Sequence, residues 1–147
     1  MNSKIFFSLF GKSLYHIDAS YNKIAKRENV SPTLLWIMYA INDDGYHTQR
    51  EICEDWDLPK STVNTVIISL KDEGYLDLIP IKGKKREMQI SLTESGKEYA
   101  NKITKDVYNL EAKIYSKLSF EKNNFLDNLK EIEVLLKEET KWENIYF

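Results

Sequence analysis

Cysteine occurs once in the 147 residues, at Cys53. A lone thiol cannot close an internal disulfide or build a thiolate metal cluster. Histidine is almost as scarce. His16 and His47 are the only two, and neither has a second ligand at helical spacing, so no metal site is expected. No apolar run approaches the ~20 residues that span a bilayer. The segment KIFFSLFGKSLYHI is broken by Lys12 and His16 and lacks the small-residue cleavage site of a secretory leader. Internal repeats, low-complexity tracts and flexible linkers are missing too, as are a phosphate-binding glycine loop and a nucleophile–base pair. The expectation is therefore a single cytoplasmic domain over residues 1–147, with no membrane association, no cofactor and no enzymatic activity.

Net charge is also small. The chain carries 21 cations against 23 anions, for a formal −2. That balance argues against a protein that coats nucleic acid with its whole surface, but it leaves room for a local basic stripe. One exists. KGKKREMQISLTESG, residues 82–96, opens with Lys82, Lys84, Lys85 and Arg86.

Hydrophobic periodicity supplies the frame. Phe6, Phe10, Ile17, Tyr21 and Ile24 recur at helical spacing over about residues 3–28, with Gly11 as a weak point. Ser31 and Pro32 suit an N-cap and a first helical position, Leu35, Ile37, Met38 and Ile41 form a buried face, and Asp43-Asp44-Gly45 ends that helix. Thr48 with Glu51 spells a capping box for a short helix whose Ile52, Cys53 and Trp56 should face inward. After a tight turn comes a helix with Val63, Val66, Ile67 and Leu70 inside, Asn64, Thr65 and Ile68 outside, and Gly74 as its left-handed cap. The period then changes to two. Leu76 and Leu78, then Met88, Ile90 and Leu92, read as two strands joined by a loop with Gly83, and Pro80 confines the first strand to an edge or its end. Thr93 caps a long helix with a seam at Ala100, Ile103, Val107, Leu110 and Ile114, and a last helix repeats the spacing at Phe125, Leu129, Ile132 and Leu136.

The predicted fold class is mainly α with a small β-hairpin wing. A capped short helix, a tight turn, a second helix and a hairpin make a winged helix-turn-helix. A helix is about as wide as the DNA major groove admits, and a hairpin beside it can reach the minor groove or the phosphates. The basic residues sit at the hairpin tip, where each cation near a phosphate releases condensed counterions. Lysines on a hairpin also protect a sheet edge from aggregation, and on composition alone the two readings stand level.

On these residues the stretch from Ser31 to Gly96 resembles the MarR family of winged-helix transcription regulators. The family's recognition helix begins Ser-Thr-Val and ends Leu-x-x-x-Gly, matched by Ser61-Thr62-Val63 and by Leu70 to Gly74. Its wing pattern, Asp-x-Arg-x-x-x-Val-x-Leu-Thr-x-x-Gly, is matched by Arg86, Ile90, Leu92, Thr93 and Gly96, with Lys84 where the aspartate stands. The resemblance implies a DNA-binding part over 31–93 flanked by dimerisation helices over 1–30 and 94–147. It implies a homodimer on a pseudo-palindromic operator in double-stranded DNA, with recognition helices ~34 Å apart, acting as an effector-responsive repressor. The DNA-facing set is Thr48, Gln49, Lys60, Ser61, Thr62, Asn64, Thr65, Ser69, Lys82, Lys84, Lys85 and Arg86. Three departures matter. Lys84 deprives Arg86 of the carboxylate that aims it in the family. Thr65 and Ser69 occupy positions where arginine is frequent, which leaves base reading to Asn64 with Thr65 or Ser61. Pro59 replaces a capping residue.

Relatives that bind small aromatic or amphipathic effectors suggest a pocket from Phe10, Tyr15, His16, Trp36 and Tyr39, although aromatics at helical spacing also serve as plain core. Cys53 reads as a structural thiol ahead of a redox sensor. Glu111 and the tail LKEIEVLLKEETKWE read as a solvated helix face. The terminal seams suit either a dimer or an intramolecular bundle. The alternative to DNA binding is a winged-helix module that binds protein.

Overall fold

The computed structural model describes residues 1–141. They fold into two compact units, one of residues 1–111 and a second that starts at Ala112. The first contains α1 (Ser3–Arg27), α2 (Pro32–Ile41), β1 (His47–Thr48), α3 (Gln49–Trp56), α4 (Lys60–Asp72), β2 (Leu76–Pro80) and β3 (Met88–Leu92), and α5 (Glu94–Tyr115) begins in it. The tail's residues 142–147 lie outside the described residues. Among the described residues no helix is long and apolar enough to cross a membrane.

Local chemistry sets these boundaries. Asn2 and Ser31 accept backbone N–H bonds at the starts of α1 and α2, and Pro32 takes the first turn of α2, where a missing N–H costs nothing. Thr48 and Glu51 complete both halves of the predicted capping box at α3. α4 starts at Pro59 without a side-chain cap. Gly11 sits within an unbroken α1.

The core of this unit joins Leu35, Ile37, Met38 and Ile41 of α2 to Ile52, Val63, Ile67 and Leu70, with Leu76 and Ile90 from the sheet and Ala100, Ile103 and Val107 from α5. Each is 4 % exposed or less. Burying side chains of this size contributes about 1.5–3 kcal/mol apiece before entropy is subtracted. From α1 only the C-terminal end joins in, through Tyr21, Ile24 and Ala25. Between Ser3 and Ser20 no residue of α1 is buried.

Two sequence expectations need correction. The wing is not a bare hairpin, because β1 adds a third strand in the order β1-β3-β2, with His47 opposite Ile90 and Thr48 opposite Gln89. A two-residue strand has too little alternation to register in a periodicity. Trp56 is not inward-facing. It is 38 % exposed and stacks on Trp36, with centroids 5.3 Å apart. Pro80 does end an edge strand, paired with Met88.

The end of α4 and the start of α5 are knotted together. Gly74, at φ +80°, lets Tyr75 N–H donate to the Leu70 carbonyl and its own N–H donate to Lys71, the Schellman arrangement. Thr93 Oγ1 then donates to the Gly74 carbonyl at 2.7 Å and accepts from Gly96 N–H at 3.0 Å. The Tyr75 carbonyl accepts from Thr93 N–H at 3.0 Å, and Tyr75 stacks on Tyr99 at 4.5 Å. The spaced Gly, Thr and Gly of the sequence pattern are thus one joint, and it fixes the direction in which α4 points.

In the second unit, α6 (Lys122–Glu139) is capped by Glu121, whose carboxylate accepts from the N–H groups of Asn123 and Asn124. Phe120 packs on Phe125 at 5.0 Å, a hydrophobic staple around that cap. No residue of α6 is buried.

Candidate nucleic-acid interface

α3, α4 and the sheet surround a groove of about 780 Å³. Gln49, Arg50, Cys53 and Glu54 line it from α3, Lys60, Asn64 and Ile68 from α4, and Leu78, Lys84, Arg86, Glu87 and Met88 from the wing. Of the predicted DNA-facing residues, five come together here: Gln49, Lys60, Asn64, Lys84 and Arg86. Ser61, Thr65 and Ser69 are exposed along α4, Thr62 is half-buried, and Lys82 and Lys85 are exposed at the wing tip. The wing turns at Gly83, φ +83°, and closes with Lys84 N–H donating to the Ile81 carbonyl at 3.1 Å.

Thr48 is the exception. It is 1 % exposed, and its hydroxyl accepts from Glu51 N–H at 3.2 Å. Its side chain builds the α3 cap and has no path to a ligand, so its place in the contact set is withdrawn.

Charge in the groove is partly tied up. Arg50 pairs with Glu54 at 2.8 Å and Lys84 with Glu87 at 2.9 Å. The Lys84 hydrogen bond holds the Glu87 carboxyl below its usual range, and Glu87 in turn raises Lys84. Thr48 and Arg50 also act on Glu87, which places it between the wing and the start of α3. Sequence reasoning passed over Glu87. The signal was there in the (i, i+3) spacing from Lys84, once Lys84 stood where an acid is usual. Lys60 and Arg86 form no ion pair among the described residues, so they are the groove's uncompensated cations.

The five predicted pocket residues do not form one site. Trp36 and Tyr39 touch at 5.5 Å and join Tyr21, Trp56 and Tyr108 in an aromatic cluster. Phe10 instead packs with Phe6 and Phe7, each at 6.4 Å. Tyr15 is 80 % exposed and His16 is exposed. Glu111, read from sequence as a solvated residue, is half-buried beside the cluster. Its two carboxylate oxygens accept from Tyr21 and Tyr39 hydroxyls, both at 3.0 Å. The carboxylate and the two tyrosines come from three helices far apart in sequence, which no local pattern reveals.

Burial, then the Glu111 hydrogen bond, push Tyr39 up to about 12, and Tyr21 rises for the same reasons. A raised phenol keeps its proton in the folded chain after the unfolded chain has lost it. Stability carried by these bonds is therefore intact below pH ~10 and falls as pH rises toward 12. Urea midpoints at pH 9, 10 and 11 should decline more steeply for the wild type than for Tyr39→Phe.

This fold and this groove define a winged helix-turn-helix protein. No family model matches the chain, and no curated protein does. Solved structures do. A MarR family regulator from Neisseria meningitidis superposes with a TM-score of 0.78 at 26% identity, covering 96% of this chain and 100% of its own. MepR of Staphylococcus aureus in its DNA-binding conformation gives 0.74 at 18%, over 89% and 98%. MarR of the same organism, in complex with salicylate and kanamycin, gives 0.64 at 21%, over 92% and 93%. The chain thus has the winged-helix fold of these MarR family regulators and is similar to them along nearly its whole length.

Proposed function

We propose that this chain is a homodimeric, sequence-specific DNA-binding transcription regulator of the cytoplasm, a repressor released by a small aromatic or amphipathic effector, and not an enzyme. One observation carries the reading. An exposed polar helix and a cationic wing border the same groove, with Lys60 and Arg86 uncompensated. α4 fits a major groove, and Arg86 at the wing fits the neighbouring minor groove, whose narrow walls focus negative potential on arginine. The regulators that superpose on this chain include MepR in a DNA complex and MarR holding salicylate. The aromatic cluster around Trp36 and Tyr39 is where an effector would act. Residues 31–93 would form the DNA-binding part and 1–30 with 94–147 the dimerisation helices of one functional domain.

The effector mechanism needs two spacings of the paired recognition helices, only one of which suits successive major grooves. A ligand that prefers the other shifts the population off DNA.

Selection of bound fragments from random duplex DNA tests binding, two-fold symmetry and half-site spacing together. On a selected site, Arg86→Ala should weaken binding by about 1–3 kcal/mol and flatten the salt dependence by about one phosphate contact. Retention of no duplex even in dilute salt would remove the DNA reading and leave a protein-binding module.

A further inference from the structure

We infer that Ile68 reads a thymine methyl and that, with Asn64, it makes A·T pairs the core of each half-site. The inference rests on the DNA-binding reading above and adds to it the chemistry of the base edges that are read.

The outward face of α4 carries Ser61, Asn64, Thr65, Ile68 and Ser69. No cation stands between Lys60 and Lys71, so the helix interior cannot offer guanine the bidentate contact that arginine or lysine makes. Two of the hydroxyls are engaged. Thr65 donates to the Ser61 carbonyl at 2.9 Å, and Ser69 donates to Glu73 at 3.1 Å. The Asn64 amide has no hydrogen-bond partner among the described residues, and it lines the groove together with Ile68. Ile68 is 40 % exposed on this polar face, whereas Val63, Ile67 and Leu70 of the same helix are 2 % exposed or less. An asparagine amide matches adenine N6 and N7, and an aliphatic side chain matches only one major-groove feature, the thymine C5-methyl. Asn64 and Ile68 lie one helical turn apart, about 6 Å along the axis, which is close to two base steps at ~3.4 Å each. The two side chains therefore meet base pairs about two steps apart.

The test begins with wild-type selection from random duplexes, followed by replacement of single thymines in the selected site with uracil, which removes one methyl and no charge. At one thymine per half-site, uracil should weaken wild-type binding about fourfold, the ~0.8 kcal/mol of one buried carbon converted at 1.4 kcal/mol per tenfold. Ile68→Ala should show no uracil effect at that position, and Ile68→Val a smaller one. Asn64→Ala should lose the preference for adenine within two steps of it. G·C pairs at these positions, or the same uracil penalty in wild type and Ile68→Ala, would overturn the inference while leaving DNA binding in place. Absence of any duplex binding would overturn both. Because Ile68 lies outside the core cluster, matching melting curves for its variants should separate readout from folding.

Discussion

Gly96→Ala is expected to lower the melting temperature by about 10 °C, a far larger effect than one added methyl normally has on a helix. A Cβ at Gly96 would stand 1.7 Å from the Tyr75 carbonyl oxygen and 2.7 Å from its carbon. The obstacle is backbone, and that backbone is held on both sides. Tyr75 N–H donates to Leu70, and its carbonyl accepts from Thr93. Side chains can rotate away from an intruding methyl, but here α5 must lift off the end of α4. Overpacking of this kind costs about 3 kcal/mol. With an unfolding entropy of about 2.1 cal/mol/K per residue, that cost over 147 residues gives the stated shift. Gly74→Ala is the control. It has open space around its Cβ and a φ of +80°, so it should cost only the ~1–2 kcal/mol of left-handed backbone. If Gly96→Ala melts no earlier than Gly74→Ala, the joint is looser than described. Because the joint sets the direction of α4, surviving Gly96→Ala protein should also bind DNA less well at temperatures where it remains folded.

How much of this was legible in the residues varies with the range of the interaction. Helix starts and stops follow from neighbours three or four positions away, which is why the Thr48–Glu51 box and the Gly74 cap could be read directly. Gly96 was visible as a spaced motif, but its reason was not, since the clash partner lies 21 positions earlier. Glu111 was misread because its tyrosines lie 72 and 90 positions away. Thr48 entered the DNA-facing set through the family resemblance, whereas burial is a property of the packed sheet and helices. The wing shows the same limit at short range. Four cations in five positions read as one basic tip, yet Glu87, just beyond them, takes up Lys84 and leaves Arg86 as the wing cation that lines the groove unpaired.

Phe6→Glu with Phe10→Glu is expected to convert the protein to a monomer and to cut affinity for a two-fold operator by about 10²–10⁴, the gain that linking two half-site contacts confers. Residues 3–20 of α1 bury nothing, though they carry Phe6, Phe7, Leu9, Leu14 and Ile17 at 39 % exposure or more. Eighteen residues of helix are only marginally stable in water without tertiary packing, and an apolar patch of this extent is characteristic of an interface. α6 independently leaves Phe125, Leu126, Leu135 and Leu136 open. A second copy of the chain would supply matching surfaces for both, because a two-fold interface is self-complementary. Two glutamates on the stacked Phe6–Phe10 pair place charge where that contact must be dry. Neither phenylalanine belongs to the core cluster, so the helical circular dichroism of residues 21–111 should be retained. Sedimentation should then show half the wild-type mass, with half-site binding left near the wild-type value. A variant that stays dimeric and keeps full operator affinity would move the dimer contact away from α1, and a wild type that sediments as a monomer would remove the paired-helix geometry altogether.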